Sequence, residues 1–348
     1  NKKMMKILIV GCGRIFPKHL ESISKLNSLF KLVGICDVDL KKRIDYSIKL
    51  KVPAFKLIEE AIDQTKPDIV SILTPSGLHA LHAIKVLKKH IHVIIEKPMC
   101  LKNIDAKKII HYSKKSKKKV FIVMQNKFNP PVVKLLKDIK LNTFGKVFHA
   151  GVCVKWKRDQ SYYNLDKWRG SWKFDGGVVC NQASHHLDLL RTIMGDPVSV
   201  VAKGFRHLNK IEAEDTAIIL FRFKNNKSGI MEATTAIRPY DIEGSINIMG
   251  SKGSAKIGGF ALNEISYYHS NKKININQYK TTPKNVYGFG HIEFYKHVYH
   301  CIKKKINSDF DAKKSSKTVS LINAIYKSIE TNREIKLTKN INSKKLGI

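Results

Sequence analysis

The first 37 residues place the strongest constraint on the fold of this chain. Residues 6–10 (KILIV) form a short, uninterrupted apolar run, which is typical of a strand buried on both faces of a parallel sheet. The turn Gly11-Cys-Gly13-Arg14-Ile15 follows, and a helical pattern of apolar residues continues to residue 26. A second apolar run at residues 32–36 then ends at Asp37. This order predicts a strand, a glycine turn, a helix and a second strand that ends in an acid.

Such a unit has the layout of a dinucleotide-binding site. Glycines permit a tight turn and let a pyrophosphate approach the backbone, while the start of the helix attracts its negative charge. Asp37 lies 24 residues after Gly13, near the usual spacing of about 20, where a carboxylate accepts hydrogen bonds from ribose hydroxyls. Because an acid would repel a 2′-phosphate, we predict NAD as the cofactor. The predicted contacts are Gly11, Gly13, Arg14, Ile15 and Asp37.

The third position of the glycine motif is Phe16, where glycine or alanine normally allows close packing of the helix on the strand. We therefore expect the first helix to stand off the sheet or to begin differently. Pro17 is compatible with a first helical turn.

Strand and helix patterns continue to alternate as far as residue 127. Further strands are predicted at 68–73, 92–95 and 120–124, with helices at 80–89 and near 104–113. Repeated strand–helix units predict a Rossmann domain, with a doubly wound parallel sheet, over residues 1–127. Ligands of such sheets bind at the carboxyl ends of the strands. The polar residues expected at those ends are Thr74, Ser76, His79, Glu96 and Lys97.

A different pattern begins after residue 127. Strands are predicted at 146–155, 198–204, 216–223, 229–235, 244–249 and 255–257, and helices near 131–140, 289–305 and 318–331. Short turns between successive strands indicate antiparallel pairing. We predict an α+β domain over residues 128–340 with a large, open, mostly antiparallel sheet. Helices are expected to cover one face and leave the other for contact with further copies of the chain.

The stretch from residue 162 to residue 191 is rich in aromatic and polar side chains. After Gly176 and Gly177, the residues Asn181, His185 and Asp188 fall at i, i+4 and i+7, which predicts one shared helix face. A polar helix face is often only solvated, and a histidine there is often a buried structural residue. Because the preceding aromatic loop would be costly to expose, we expect His185 to serve a function.

The chain of 348 residues has 64 Lys and Arg against 28 Asp and Glu, a formal net charge of +36. Nucleic-acid-binding proteins have such a balance, but the lysines here are spread through every segment. No zinc-finger spacing, heptad repeat or RNA-binding aromatic motif accompanies them, so we expect a solvated basic surface and no nucleic-acid partner. No apolar stretch is long enough to span a membrane.

The six cysteines form no C-x-x-C pair, and several lie in apolar runs. This usage favours reduced, buried thiols in a cytoplasmic protein without a metal site. The first residues lack the pattern of a signal peptide, and Met4 or Met5 is expected to be the natural start.

Motifs over nearly the whole chain resemble those of the Gfo/Idh/MocA oxidoreductases. They are G-C-G-R-I from residue 11, T-P-S-G-L-H from 74, E-K-P from 96 and N-Q-A-S-H-x-x-D from 181. Within that family, the later motifs are most similar to UDP-N-acetyl-2-amino-2-deoxy-glucuronate 3-dehydrogenases. Those motifs are Y-Y and W-R-G-S-W at 162–172, I-E-A-E-D-T at 211–216, E-G-S-I from 243, G-G-F-A-L-N at 258–263 and V-Y-G-F-G-H at 286–291.

The resemblance implies an NAD-dependent enzyme that oxidises C3 of UDP-N-acetylglucosaminuronic acid in lipopolysaccharide biosynthesis. Lys97 and His185 would flank the reacting carbinol, one taking the hydroxyl proton and the other orienting the oxygen. Lysine suits this role if burial lowers its pKa toward neutrality, and histidine titrates there already. The implied cofactor contacts also include Thr74, Ser76, His79, Glu96, Lys97, Gln125 and Trp172. The implied substrate contacts are Lys97, Asn126, Tyr163, Arg169, Asn181, Gln182 and His185.

The resemblance further implies a homo-oligomer, a tetramer or a dimer, assembled through the open sheet, and 2-oxoglutarate as a possible electron acceptor. Members of the family usually carry Asp where this chain has Asn181, which cannot take a proton. Lys127 and Phe128 stand where a more basic pair is expected. Another sugar or inositol dehydrogenase of the same family is an alternative. A dinucleotide-binding regulator without catalysis is a more distant one, disfavoured by the presence of both Lys97 and His185.

Overall fold

The computed structural model describes residues 4–271, 273–338 and 341–348, which fall into two compact units. The first unit contains the chain up to Cys100 together with Ile104–Met124 and His291–Ser316. The second contains Leu101–Asn103, Gln125–Gly290 and Lys317–Ile348. The predicted division after residue 127 placed Leu101–Asn103 in the first domain and His291–Ser316 in the second. The structure assigns each of these two segments to the other unit. Residues 1–3 of the predicted first domain, and 272, 339 and 340 of the predicted second, lie outside the described residues.

The helices and strands of the described residues are numbered along the chain. The helices are α1 Phe16–Lys25, α2 Leu40–Leu50, α3 Ile58–Thr65, α4 His79–Lys88, α5 Asn103–Ser116, α6 Pro130–Lys140, α7 Gln160–Asn164, α8 Ser184–Met194, α9 His291–Lys303 and α10 Ala312–Thr331. The strands are β1 Met5–Val10, β2 Phe30–Cys36, β3 Ala54–Phe55, β4 Ile69–Ile72, β5 His92–Ile95, β6 Val120–Ile122, β7 Val147–Lys155, β8 Ser199–Phe205, β9 Thr216–Arg222, β10 Ser228–Thr234, β11 Glu243–Gly250, β12 Gly253–Gly258, β13 Glu264–His269 and β14 Ile335–Lys336.

The sheet of the first unit has the order β3-β2-β1-β4-β5-β6, and all neighbouring strands are parallel. Ile7, Leu8 and Ile9 in the middle strand have no exposed surface, as expected when helices cover both faces. This confirms the predicted doubly wound parallel sheet. The strand order reverses between β1 and β4, the point at which such sheets bind ligands beyond the carboxyl ends of their strands.

Helix α9 belongs to the first unit, whereas the strands that precede it in sequence belong to the second. Phe294 and Tyr295 are fully buried, and the Tyr295 ring packs edge-to-face on Phe30 of β2 with 5.6 Å between the ring centroids. Apolar spacing predicted a helix here, but spacing alone does not reveal which remote element the helix packs against.

The sheet of the second unit has the order β13-β12-β11-β7-β10-β9-β8-β14. Among the described strands of this sheet, β7 and β10 alone pair in parallel, and the remaining neighbours are antiparallel. This confirms the predicted large, mostly antiparallel sheet. Helix α8 packs on β7 and β11, against a face that contributes buried side chains such as Ile219, Met231 and Ile246 to the core.

The opposite face of this sheet carries an apolar row. Val201 of β8, Leu220 of β9 and Ile230 of β10 are register partners and therefore lie side by side. They are 39%, 55% and 39% exposed. In the described part of the chain, no helix is both long and apolar enough to cross a membrane.

Strands β13 and β14 were not predicted. β13 lies at an edge of the sheet, and most of its side chains are exposed or half-buried, so its apolar alternation is weak. β14 contains only two residues and owes its position to pairing with β8.

Candidate active site

The two glycines of the first turn meet different surroundings. Gly11 has φ +99°, and a Cβ placed there would lie 2.8 Å from the carbonyl carbon and oxygen of Leu73. The fold itself therefore requires glycine at residue 11. A Cβ on Gly13 would have no heavy atom within 4 Å, and the backbone of Gly13 is outside the left-handed region. The open space on the side of Gly13 where a Cβ would lie allows a pyrophosphate to approach the backbone closely.

Helix α1 begins at Phe16, which is fully buried and packs edge-to-face on Tyr46 of α2 at 4.6 Å between ring centroids. The bulky third residue of the motif is thus accommodated between two helices. The preceding residues, Arg14 and Ile15, form the last part of the turn at the N-terminus of α1. A helix N-terminus favours a bound anion.

Asp37 follows β2 and lies next to the glycine turn. Its carboxylate accepts hydrogen bonds from the N–H of Cys12 at 2.6 Å and from the N–H of Asp39 at 2.9 Å. The side chain remains half-buried. The turn and the acid are therefore held together as a dinucleotide site requires, and the carboxylate, which accepts hydrogen bonds, fits the ribose hydroxyls of NAD.

His79 joins the turn after β4 to the turn after β5. Its Nδ1 lies 2.7 Å from the carbonyl oxygen of Pro98, and its Nε2 lies 2.7 Å from that of Thr74. The ring is 1% exposed, and burial, the largest influence, lowers its pKa. In the same turn Ser76 is buried, and the Thr74 hydroxyl lies 3.0 Å from Nδ1 of His82. His79 thus holds two loops of the predicted cofactor edge in place.

Glu96 and Lys97 follow β5, and Lys97 is joined to Pro98 by a cis peptide bond. Lys97 is half-buried, whereas Glu96 is buried. The Glu96 carboxylate accepts the N–H of Lys97 at 3.0 Å and contacts Nε2 of His19 at 2.9 Å. Burial opposes ionisation of Glu96, but the hydrogen bond from His19 and the nearby positive charge lower its pKa to about 2.

In the second unit, the short turn Gln125–Phe128 presents two buried amide side chains. Gln125 and Asn126 are each 3% exposed. Among the described residues, the side-chain oxygen of Gln125 and both side-chain polar atoms of Asn126 have no hydrogen-bond partner. Buried amides are normally hydrogen-bonded, so these atoms are suited to a polar ligand.

The aromatic stretch holds Arg169 between two rings. The guanidinium lies 4.6 Å from the ring centroid of Tyr162 and 4.7 Å from that of Trp168. It also donates to the Asp166 carboxylate at 3.0 Å and to the Tyr162 hydroxyl at 2.7 Å. Gln182 donates to the same hydroxyl at 3.0 Å. The predicted substrate residues Arg169 and Gln182 are therefore brought together through Tyr162.

Two further predicted residues of the stretch have contacts inside the second unit. The Tyr163 hydroxyl lies 2.9 Å from the Thr235 hydroxyl, and burial raises its pKa. Trp172, predicted to contact the cofactor, packs edge-to-face on Tyr326 with 5.2 Å between ring centroids.

Asn181 precedes helix α8 instead of lying on it. The N–H of Gln182 donates to Val178 at 3.1 Å, but the N–H of Ala183 also donates to Val178, at 2.9 Å. This longer turn interrupts the helical register, and α8 begins only at Ser184. The prediction that Asn181, His185 and Asp188 share one helix face is therefore wrong. The Asn181 amide donates to the Asp175 carboxylate, and His185, 7% exposed, lies in the first turn of α8.

Asp188 forms ion pairs with Lys127 at 2.5 Å and with Arg191 at 3.3 Å. Burial opposes ionisation, but these two cations and the hydrogen bonds from Lys127 and Thr318 lower the Asp188 pKa to about 2. Lys127, which departs from the expected basic pair, thus neutralises a buried acid of the second unit.

Glu214 packs against Gly177, the second of the two glycines that precede Asn181 in the sequence. Its Oε1 accepts the N–H of Val179 at 3.1 Å and the hydroxyl of Tyr326 at 3.0 Å. A Cβ on Gly177 would lie 2.1 Å from Oε2, so the carboxylate fits against a residue without a side chain. Burial raises the pKa of Glu214 to about 7, although the hydrogen bonds to Oε1 act in the other direction.

An open cleft of about 920 Å³ adjoins these residues in the second unit. Tyr163 and Arg169 line it together with Lys167, Arg206 and Lys210. The last three were not identified from the sequence, because the abundant lysines elsewhere hid their significance. Their convergence gives the cleft a basic lining that suits an anionic ligand.

Comparison with known proteins agrees with this architecture. Residues 5–124 match the oxidoreductase family domain described as an NAD-binding Rossmann fold, and residues 137–337 match the C-terminal alpha/beta domain of the same family. The WlbA dehydrogenase from Bordetella pertussis, solved with NADH and UDP-GlcNAcA, is 32% identical, with a TM-score of 0.94 over 98% of this chain and 99% of that one. The WlbA dehydrogenase from Chromobacterium violaceum, solved with the same ligands, is 32% identical, with a TM-score of 0.91 over 98% of each chain.

Among curated proteins, the myo-inositol 2-dehydrogenase of Thermotoga maritima is 29% identical over 256 residues, 72% of this chain and 74% of that protein. The fold and the family domains together define an oxidoreductase with an NAD-binding domain. The chain belongs to the Gfo/Idh/MocA oxidoreductase family, which confirms the family resemblance and the NAD-binding domain inferred from the sequence.

Proposed function

We propose that this chain oxidises the C3 hydroxyl of UDP-N-acetylglucosaminuronic acid to the 3-keto sugar, as a step in the biosynthesis of bacterial lipopolysaccharide. The observation that carries the proposal is the 32% identity, over 98% of the chain, to WlbA dehydrogenases solved with NADH and UDP-GlcNAcA. The six free cysteines fit a reducing compartment, and we assign the enzyme to the cytoplasm on that ground.

The first unit supplies a cofactor site for this reaction. The open space before Gly13 and the N-terminus of α1 suit a pyrophosphate, and Asp37 suits the hydroxyls of an adenosine ribose. The Asp37 charge would repel the 2′-phosphate of NADP, so NAD is the expected cofactor. Bound NAD supplies the acceptor for the hydride that leaves C3.

Lys97 and His185 are proposed to serve the substrate hydroxyl. One of them takes the hydroxyl proton while the C–H electron pair leaves the same carbon, so that a carbonyl forms. The other donates a hydrogen bond to the oxygen. Lys97 is held by the loop after β5, where its N–H is bonded to Glu96, and His185 is held in the first turn of α8. Asn181, which cannot accept the proton, is proposed to hydrogen-bond the sugar.

The substrate carries a diphosphate and a sugar carboxylate, and the basic cleft beside Arg169 suits such anions. Arginine presents several N–H donors in a plane and therefore suits bidentate recognition of carboxylate or phosphate. The buried amides of Gln125 and Asn126 offer neutral donors and acceptors for sugar, amide or nicotinamide groups. Tyr163 and Gln182 are proposed as further polar contacts with the sugar.

A different sugar or inositol dehydrogenase is the second candidate, and the similarity to a myo-inositol 2-dehydrogenase favours it. The two candidates differ in whether the nucleotide is needed. Purified protein with NAD should therefore be assayed with UDP-N-acetylglucosaminuronic acid, with the free sugar acid and with myo-inositol. Turnover of the nucleotide sugar alone supports the proposal, and turnover of myo-inositol alone contradicts it.

Lys97→Met and His185→Ala separate an enzyme from a regulator that only binds NAD. Loss of a proton-transfer group lowers kcat by about 10²- to 10⁴-fold. NAD binding should persist in His185→Ala, and in Lys97→Met it should weaken without being lost, because the glycine turn and Asp37 are unchanged. Full activity in Lys97→Met would contradict the proposed mechanism.

The exposed apolar row of Val201, Leu220 and Ile230 is proposed to pack against the same row of another copy. Exposed contiguous apolar surface on a sheet face is typical of a contact between subunits. A dimer or tetramer is therefore expected.

We also propose that 2-oxoglutarate accepts the hydride from NADH that stays bound to the enzyme after sugar oxidation. Addition of 2-oxoglutarate should therefore accelerate repeated turnover.

A further inference from the structure

A chain of buried hydrogen-bonding groups runs beneath the loop that carries Lys97. We call Ser71, Tyr295, His19 and Glu96 the Glu96 network. The Ser71 hydroxyl lies 3.3 Å from the Tyr295 hydroxyl, which lies 2.7 Å from Nδ1 of His19. Nε2 of His19 lies 2.9 Å from Oε1 of Glu96, and Oε2 of Glu96 accepts the N–H of Lys97. All five residues belong to the first unit.

The groups of the network pair with one another along a single path. Oε1 of Glu96 can only accept, so Nε2 of His19 carries the proton that it receives. Nδ1 of His19 faces the Tyr295 hydroxyl, and the Tyr295 hydroxyl also faces the hydroxyl of Ser71. Burial raises the pKa of Tyr295, so that this hydroxyl keeps its proton. Each group of the network therefore has a partner within it.

The burial of the network makes each of its bonds matter. Ser71, His19 and Tyr295 are fully buried, and Glu96 is 8% exposed. A buried donor or acceptor that loses its partner cannot turn to water, so removal of one member displaces the next. Glu96, at the end of the network, accepts the backbone N–H of Lys97. Loss of any member of the network is therefore expected to displace the backbone of Lys97.

His19, Glu96 and His291 also form a group whose ligand atoms lie within 4.8 Å of one another, as a metal site would require. The bonds of His19 argue against that use. Both of its ring nitrogens already face partners, and Nε2 is at hydrogen-bonding distance from the carboxylate. Burial, aided by the neighbouring His19, lowers the His291 pKa to about 3, so His291 is neutral and adds no charge to the network.

We propose that His19, Tyr295 and Glu96 are positioning residues that fix the backbone of Lys97 for proton transfer. The proposal rests on the proposed catalytic role of Lys97. In this proposal α9 contributes to the site of the first unit, because α9 carries Tyr295. It also predicts that the network affects kcat and leaves the binding of both substrates unchanged.

Tyr295→Phe removes the hydroxyl and retains the ring that packs on Phe30 and His19. Tyr299→Phe is the matched control, because Tyr299 lies one turn further along α9, is buried and packs on the same Phe30 at 5.8 Å. Loss of one buried hydrogen bond predicts about a tenfold lower kcat for Tyr295→Phe, with KM for NAD and sugar within about twofold of wild type. Tyr299→Phe should keep wild-type kcat.

Glu96→Ala provides a readout that needs no turnover. Alanine removes both carboxylate oxygens, so the N–H of Lys97 loses its acceptor whichever nitrogen of His19 carries the proton. Amide hydrogen exchange of Lys97 should accelerate about tenfold in this variant, while exchange of the central strand β1 stays unchanged. Unchanged exchange at Lys97 would overturn the proposed bond.

Equal kcat losses in Tyr295→Phe and Tyr299→Phe would overturn the positioning role, and so would a rise in KM without a change in kcat. A stoichiometric metal ion in the purified protein, with activity lost on chelation and restored by Zn²⁺, would identify the group as a metal site and overturn the proposal. If wild type turns over no UDP-sugar, the proposed function fails, but the exchange measurement still tests the network.

Discussion

Alanine substitution at the two glycines of the nucleotide turn should give opposite results. At Gly11 the φ of +99° disfavours any residue with a Cβ, and the new atom would lie 2.8 Å from the backbone carbonyl of Leu73. A left-handed backbone costs a non-glycine residue about 1–2 kcal/mol. Contact with immobile backbone atoms adds to that cost, so Gly11→Ala should lower the free energy of unfolding by about 2–3 kcal/mol.

At Gly13 the same methyl group meets no protein atom within 4 Å, and the backbone conformation is open to other residues. Gly13→Ala should therefore leave stability within about 0.5 kcal/mol of wild type. The methyl group would, however, occupy the space through which a pyrophosphate reaches the backbone. We expect NAD affinity to fall about 10- to 100-fold, or about 1.4–2.8 kcal/mol.

Thermal and denaturant unfolding without cofactor, and calorimetric titration with NAD, measure the two effects separately. Gly195→Ala is a useful control, because Gly195 has φ +88° but a Cβ placed there would have no heavy atom within 4 Å, so it isolates the backbone cost from the steric one. Wild-type NAD affinity in Gly13→Ala, or a loss of stability equal to that of Gly11→Ala, would refute the reasoning.

Three further predictions follow from single positions. Asp37→Ser should weaken NAD binding about tenfold and improve NADP binding, measured by parallel titrations. The Glu214 pKa is raised from 4.5 to about 7, so its contribution to stability is present below pH 4.5 and is lost as the pH rises through 7. Glu214→Gln, which keeps the accepting oxygen, should raise the free energy of unfolding at pH 8 by up to about 3 kcal/mol and change little at pH 4.5; an equal gain at both pH values would contradict this. Leu220→Glu should dissociate the oligomer in light-scattering measurements because it buries a charge at the contact, whereas Leu81→Glu, at a position 54% exposed in the first unit, should not.

The fold of the first unit was largely predictable because the sequence patterns that indicate it are local. Short apolar runs, the glycine turn and Asp37 lie within 37 residues, and parallel strands buried on both faces leave an unmistakable apolar pattern. The attachment of α9 to this unit was not predictable in the same way. Tyr295 meets His19 and Phe30 through contacts between remote segments, and apolar spacing gives no information about such partners.

The residues of the candidate site also differ in how far the sequence could identify them. Motifs singled out Lys97 and His185, but they gave no sign that Glu96 is bonded to His19 or that Asp188 is neutralised by Lys127. Helical periodicity placed Asn181 on α8 because it cannot register the longer turn at Val178 and Ala183. The basic lining of the cleft was hidden for a different reason, since single lysines carry little information in a chain with a net charge of +36.

The most direct test of the central claim is the mass of the sugar after reaction. Purified protein would be incubated with UDP-N-acetylglucosaminuronic acid and NAD, with and without 2-oxoglutarate, while absorbance at 340 nm is followed. We expect a nucleotide sugar lighter by two hydrogen atoms, with the new carbonyl at C3, and more product when 2-oxoglutarate is present. An unchanged sugar, from protein shown by titration to bind NAD, would contradict the proposed reaction.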